Sequence, residues 1–169
     1  AATEPVLDLV FLWHMHQPDY RHYGLDHGPA ARRREFVLPW VYLHAIKDYS
    51  DMAAHLERHP AIRCVVNFVP VLLEQIEDYG RQFASGEFRD PLLRLLATSD
   101  LNAVNDSDRK LMLNSCFSSN HSTMVAPFPH YKRLHTLYTT LAHEREAALA
   151  YLSGAYFSDL LTWYHLAWT

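Results

Sequence analysis

Two histidines stand two residues apart at the polar end of an apolar run, in Leu12-Trp13-His14-Met15-His16-Gln17-Pro18. On an extended backbone residues i and i+2 project from the same side, so both imidazoles point one way. Such a pair can take up a divalent metal ion, hydrogen-bond a polar substrate, or sit satisfied inside a core; the pair alone leaves all three open. Asn67 lies near the end of another apolar run, Ile62 to Val69. Whether Asn67 or Phe68 faces the same side as the histidines depends on a strand register that sequence does not set, and its amide would serve a loop backbone equally well. Trp40 and His44 fall in the first turns of the helix predicted after the first strand, where packing competes with contact to a ligand. The 169 residues include twelve histidines, ten tyrosines and four tryptophans. Carbohydrate sites use these types, because flat rings stack on sugar faces and imidazoles hydrogen-bond hydroxyls. Many of the rings have a plainer role: His55, His59 and His143 stand among charged residues and read as solvated.

The elements that must position these groups can be read from periodicity. From Val6 to Gln17, alternate residues put Val6, Asp8, Val10, Leu12, His14 and His16 on one side and Leu7, Leu9, Phe11, Trp13 and Met15 on the other. One wholly apolar side, and one turning polar at its C-terminal end, fits a strand of a parallel sheet covered by helices. Pro18 ends it, and a loop rich in Gly, Pro, Arg and His runs from Asp19 to Arg34. Pro39 opens a helix whose stripe is Tyr42, Ile46, Tyr49, Ala53 and Leu56, stopped by His59-Pro60. Ile62 to Val69 reads as a second strand, and Pro70 starts a second helix with Leu72, Ile76, Tyr79 and Phe83 inward. From Gly86 onward there is no third strand signal. Helices are expected at about Asp90–Ala97, Asp106–Ser118, Phe128–Tyr151 with breaks, and Tyr156–Trp168. The order strand, helix, strand, helix predicts an α/β fold with two parallel strands, the start of a barrel, followed by a mostly helical insertion. We expect a single domain over 1–169, with two βα units in 1–84 and the helical region in 85–169, as a fragment of a larger barrel.

Composition narrows the partners. With 49% hydrophobic and 20% charged residues, a net charge of -4 and both signs interspersed, no basic face is available to neutralise phosphates, so nucleic acid is not an expected partner. The longest apolar run, Val6 to Met15, is broken by Asp8 and His14 and falls short of the ~20 residues a membrane helix needs. The AATEP start holds no intact signal peptide. Cys64 and Cys116 have no motif spacing and read as buried free thiols of a reducing, cytoplasmic protein.

In context the His-Met-His-Gln-Pro string is more specific, for it resembles the first motif of glycoside hydrolase family 57. Three further stretches agree in order and approximate spacing with amylase- and amylopullulanase-like members: Leu38 to Tyr49, Asn67 to Tyr79 and, more loosely, Asp159 to Trp168. The resemblance is close from Val6 to Tyr79 and diffuse from Gly80 to Ser158. It implies an incomplete (β/α)7 barrel that cuts or rearranges α-1,4 or α-1,6 glucans with retention, without metal or other cofactor. It also implies that His16 hydrogen-bonds the sugar at the cleavage point, with His14, Gln17, Asn67, Trp40 and His44 as further substrate-binding candidates and an α-glucan or maltooligosaccharide as the ligand. Retention needs two carboxyl groups about 5–5.5 Å apart. In the family both lie well downstream of these motifs and no Asp or Glu here matches them, so the expected chain is inactive alone. It then either self-associates or pairs with the rest of the barrel. Two competing readings are a metal-dependent deacetylase or mannosidase on a related barrel and a non-catalytic helical binding module.

Overall fold

A computed structural model describes residues 7–21, 35–144 and 150–169, and of residues 143 and 144 the backbone alone. The expected loop Asp19–Arg34 therefore lies largely outside the described residues, as do the start of the first strand at Val6 and the helical stretch over 145–149. The chain divides into two compact units, one of residues 1–20 and 40–85, the other of residues 21–39 and 86–169.

The first unit is built on two parallel strands, β1 (Phe11–Met15) and β2 (Cys64–Phe68), paired Phe11↔Cys64 through Met15↔Phe68. The ladder is five residues long, shorter than either apolar run. Leu7, Leu9 and Val10 precede it and are exposed. Its polar end is fastened where the Val69 N–H donates to the Met15 carbonyl, 3.2 Å away.

The helix predicted from Pro39 to His59 is two helices, α1 (Trp40–Ile46) and α2 (Asp48–Arg58). Lys47, at φ -121° and ψ -80°, leaves helical geometry between them. The Ser50 hydroxyl donates to the Ala45 carbonyl at the break, and the Asp51 N–H to that of Lys47. Only α1 buries residues, Val41, Tyr42 and Leu43, whereas Ile46 of the expected stripe is about half exposed.

Helix α3 (Pro70–Ser85) begins at the predicted proline, but its inward face differs from the apolar stripe expected. Leu72 and Tyr79 are buried, the latter against the Tyr42 ring at 5.3 Å, while Phe83 faces out. Gln75, Asp78 and Gln82 are buried in its stead. Gln75 explains one of these exchanges. Its amide donates to the carbonyls of Pro18 (2.9 Å) and Val71 (3.0 Å) and accepts from the Tyr20 N–H (3.0 Å). A buried polar side chain is tolerated where its hydrogen bonds are met, and here they clamp the segment that follows β1.

The second unit is helical among its described residues, apart from an isolated bridge between Arg21 and Phe36. It holds α4 (Pro91–Leu96), α5 (Asp106–Phe117), a π-helix (His121–Val125), α6 (Pro129–Glu144) and α7 (Gly154–Leu166). Asp90, almost wholly buried, caps α4 by accepting from the N–H groups of Leu92 and Leu93, as the Asp-Pro pair predicts. Asn105, Asn120 and Ser153 cap α5, the π-helix and α7 in the same way. Met112, Cys116, Tyr131, Phe157, Leu160 and Tyr164 supply much of the core. The Tyr131 hydroxyl donates to the Cys116 carbonyl, and burial pushes the Cys116 thiol well above its ordinary pKa. Cys64, expected to be buried like Cys116, is only half-buried; both are free thiols. Among the described residues no helix is long and apolar enough to cross a membrane.

Candidate functional site

The polar ends of the two strands carry the first group of candidates. In a parallel ladder directly paired residues share a face, and the pairing His14↔Asn67 settles which residue of the second run joins the histidines. Asn67 lies beside His14, with 3.2 Å between its Nδ2 and the imidazole Nδ1, while Phe68 pairs with Met15 on the other face. The rings of His14 and His16 are stacked, 5.5 Å between centroids and 9° between planes. All three side chains are exposed. Each is a polar group able both to give and to take a hydrogen bond, which is what a vicinal pair of hydroxyls requires.

A metal is a poorer match to this arrangement. Imidazole lone pairs lie in the ring plane, so two nearly parallel stacked rings do not converge on one ion. Among the described residues no group of three or more His, Cys, Asp or Glu is placed to hold one.

The second group is assembled by α1, the break at Lys47 and the start of α2. His44 pairs with Asp48 one turn on. Its ring lies 6.4 Å from that of Trp40 and 6.2 Å from that of Tyr49. Tyr49 in turn shares a hydrogen bond with the side chain of Gln17, which also accepts from the Tyr20 hydroxyl at 2.8 Å. Burial raises the pKa of the Tyr49 phenol; the Gln17 hydrogen bond opposes that shift, and the Asp48 charge adds to it. Burial, with Tyr49 second, also raises that of Tyr20. Both phenols therefore stay neutral donors near neutral pH.

The six expected residues thus fall into two sets, His14, His16 and Asn67 at the polar ends of the strands, and Gln17, Trp40 and His44 around Tyr49 and Asp48, Trp40 through its contact with His44. The peptide bond between His16 and Gln17 joins them. Sequence reasoning missed Tyr20, Tyr49 and Asp48. Two of these had a visible signal in the spacing Gln17/Tyr20 and His44/Asp48, which reach one another across three and four residues.

A family model for glycosyl hydrolase family 57 matches residues 10–163, which takes in both sets of residues and nearly all of the helical unit. The chain belongs to glycosyl hydrolase family 57. Membership makes glycoside hydrolysis or glucan transfer the activity class, and a sugar the kind of ligand for which these polar groups must be judged. No curated protein and no solved structure matches the chain.

Proposed function

We propose that this chain forms the sugar-binding opening of a family 57 α-glucan hydrolase or glucanotransferase of the amylase or amylopullulanase type, a retaining enzyme on a (β/α)7-like barrel. The observation that carries the reading is the grouping of His14, His16 and Asn67 at the C-terminal ends of two parallel strands, where βα barrels place their active sites. His16 hydrogen-bonds the sugar at the cleavage point, and His14 and Asn67 hold one another and a neighbouring hydroxyl. Gln17, oriented by Tyr20 and Tyr49, and His44, oriented by Asp48, extend the polar wall, with Trp40 beside them. The nucleophile and the acid/base are carboxylates outside the motifs present here, so the chain alone does not turn over glucans. Further strands of the complete enzyme cover the apolar sheet, on which Leu12 is 63% and Val65 54% exposed. The cytoplasm is the setting this reading favours.

The test is kinetic. In the complete enzyme His16→Ala should lower kcat/KM by about 2–4 kcal/mol, the scale for losing a group that acts in the transition state, and leave Tm in place because the ring is exposed. A fall in Tm with the activity of the folded fraction intact would make His16 a structural residue and remove the basis of the proposal.

A further inference from the structure

The helical unit contains a cavity of about 370 Å³ that is unrelated to the residues above, lined by His130, Arg133 and Leu134 of α6 and Asp159 and Trp163 of α7. That volume falls in the range of small-molecule sites, roughly 300–1,000 Å³. Trp163 is only half-buried. The His130 imidazole lies nearly parallel to the indole, 14° between planes and 5.5 Å between centroids, and the Phe128 ring, tilted, lies 5.9 Å from the indole. At that separation two parallel rings are slid past one another and overlap only in part, so together they make a stepped aromatic shelf.

The charges beside the shelf decide what it would hold. Arg133 and Asp159 are both exposed, and among the described residues neither forms an ion pair. One cation and one anion leave these two residues without net charge, so a phosphate or an ammonium group that gains from one is opposed by the other. A guanidinium offers only donors and a carboxylate only acceptors, and hydroxyls, which give and take, use both. An apolar shelf with a donor, an acceptor and an imidazole around it suits a neutral polyhydroxyl ligand with one flat apolar face.

We propose that this cavity is a second carbohydrate site, which binds a glucose unit of an α-glucan chain with its flat apolar face on the Trp163 indole, His130 at the sugar's edge, and Arg133 and Asp159 on its hydroxyls. The choice of an α-glucan rests on the functional reading above; the polyhydroxyl class does not.

The four indole N–H resonances of the chain provide the test, since Trp13 and Trp40 lie in the first unit and Trp163 and Trp168 in the second. They are assigned by single Trp→Phe variants and followed while maltoheptaose is titrated into the 169-residue chain. The Trp163 resonance should move along a saturating curve. In the double variant Arg133→Ala/Asp159→Ala, whose changes are at exposed positions, the same curve should need roughly ten-fold more sugar or greater. A Trp163 resonance that stays in place overturns the inference. So does a double variant that titrates like the parent, or an equal response to sorbitol. Movement of Trp40 without Trp163 would sink the second site alone and leave the first reading standing. Movement of Trp163 without Trp40 supports the second site and counts against the first.

Discussion

Replacing Gln75 by Met leaves the volume of this wholly buried side chain nearly unchanged and removes its hydrogen bonding. Three bonds go: those donated to the carbonyls of Pro18 and Val71 and that accepted from the Tyr20 N–H. The Val71 carbonyl lies four residues back within α3, so its loss matters least. Among the described residues the Pro18 carbonyl and the Tyr20 N–H find a long-range partner in Gln75 alone. Stranding a buried polar group costs about 1–3 kcal/mol, and in a half-buried segment that water partly reaches about 1–2 kcal/mol is the fair share of each. The sum is about 2–4 kcal/mol, or a Tm lower by roughly 5–15 °C. Amide exchange read at Tyr20 localises the effect, because protection there should fall further than in the middle of α3. Gln17 hangs from the same segment, so sugar affinity should weaken as well. A Gln75→Met protein that melts within about 1 °C of the parent with Tyr20 equally protected would refute the idea that this glutamine positions the residues after β1.

Three further outcomes follow from the structure. A methyl group added in Gly154→Ala would sit 2.6 Å from the Asn102 backbone nitrogen, at the start of α7 where the Gly154 N–H donates to the Asn102 side chain; a loss of about 1–3 kcal/mol in urea denaturation is expected. Burial holds His135 and His165 below the ordinary histidine pKa, with the His121 charge adding to the effect at His135 and a bond to the Leu161 carbonyl opposing it at His165. Both are favoured neutral in the fold, so the stability they contribute is full above about pH 6.5 and is lost as pH falls from there through their depressed values. Urea midpoints at pH 7.5 and 5.0 should therefore differ, and the difference should shrink in His165→Gln. Finally, the exposed Leu12, Val65 and neighbouring aliphatics on an open parallel sheet favour pairing between chains. Analytical ultracentrifugation over a ten-fold concentration range should show a dimer or larger species, and Leu12→Lys should shift it toward monomer.

Much of the fold was legible because its signals are local. β-Branched and aromatic runs marked both strands, Asp90-Pro91 marked the start of α4, and a second proline marked the start of α3. Register was not legible, since sliding β2 by one residue costs nothing in its apolar pattern yet swaps Asn67 for Phe68. The break at Lys47 also escaped the pattern, because helical periodicity continues across it while one residue leaves helical geometry, and that break places Tyr49 against Gln17. The burial of Gln75 was illegible for a different reason. A glutamine inside a helix reads as surface until the partners of its amide, 55 and 57 residues away, are known. Of the site itself, the residue types were readable and their grouping into two sets was not.

The central claim is that His14, His16 and Asn67 bind a glucan, and the histidines themselves can report it. The ring Cε1–H resonances of His14 and His16 are followed in the 169-residue chain as maltoheptaose is added, with the exposed His55 and His59 as internal controls. Saturating shifts at His14 and His16 that His55 and His59 do not share, weakened about ten-fold by Asn67→Ala, are the predicted result. Rings at 14 and 16 that respond no more than those at 55 and 59 would contradict the claim.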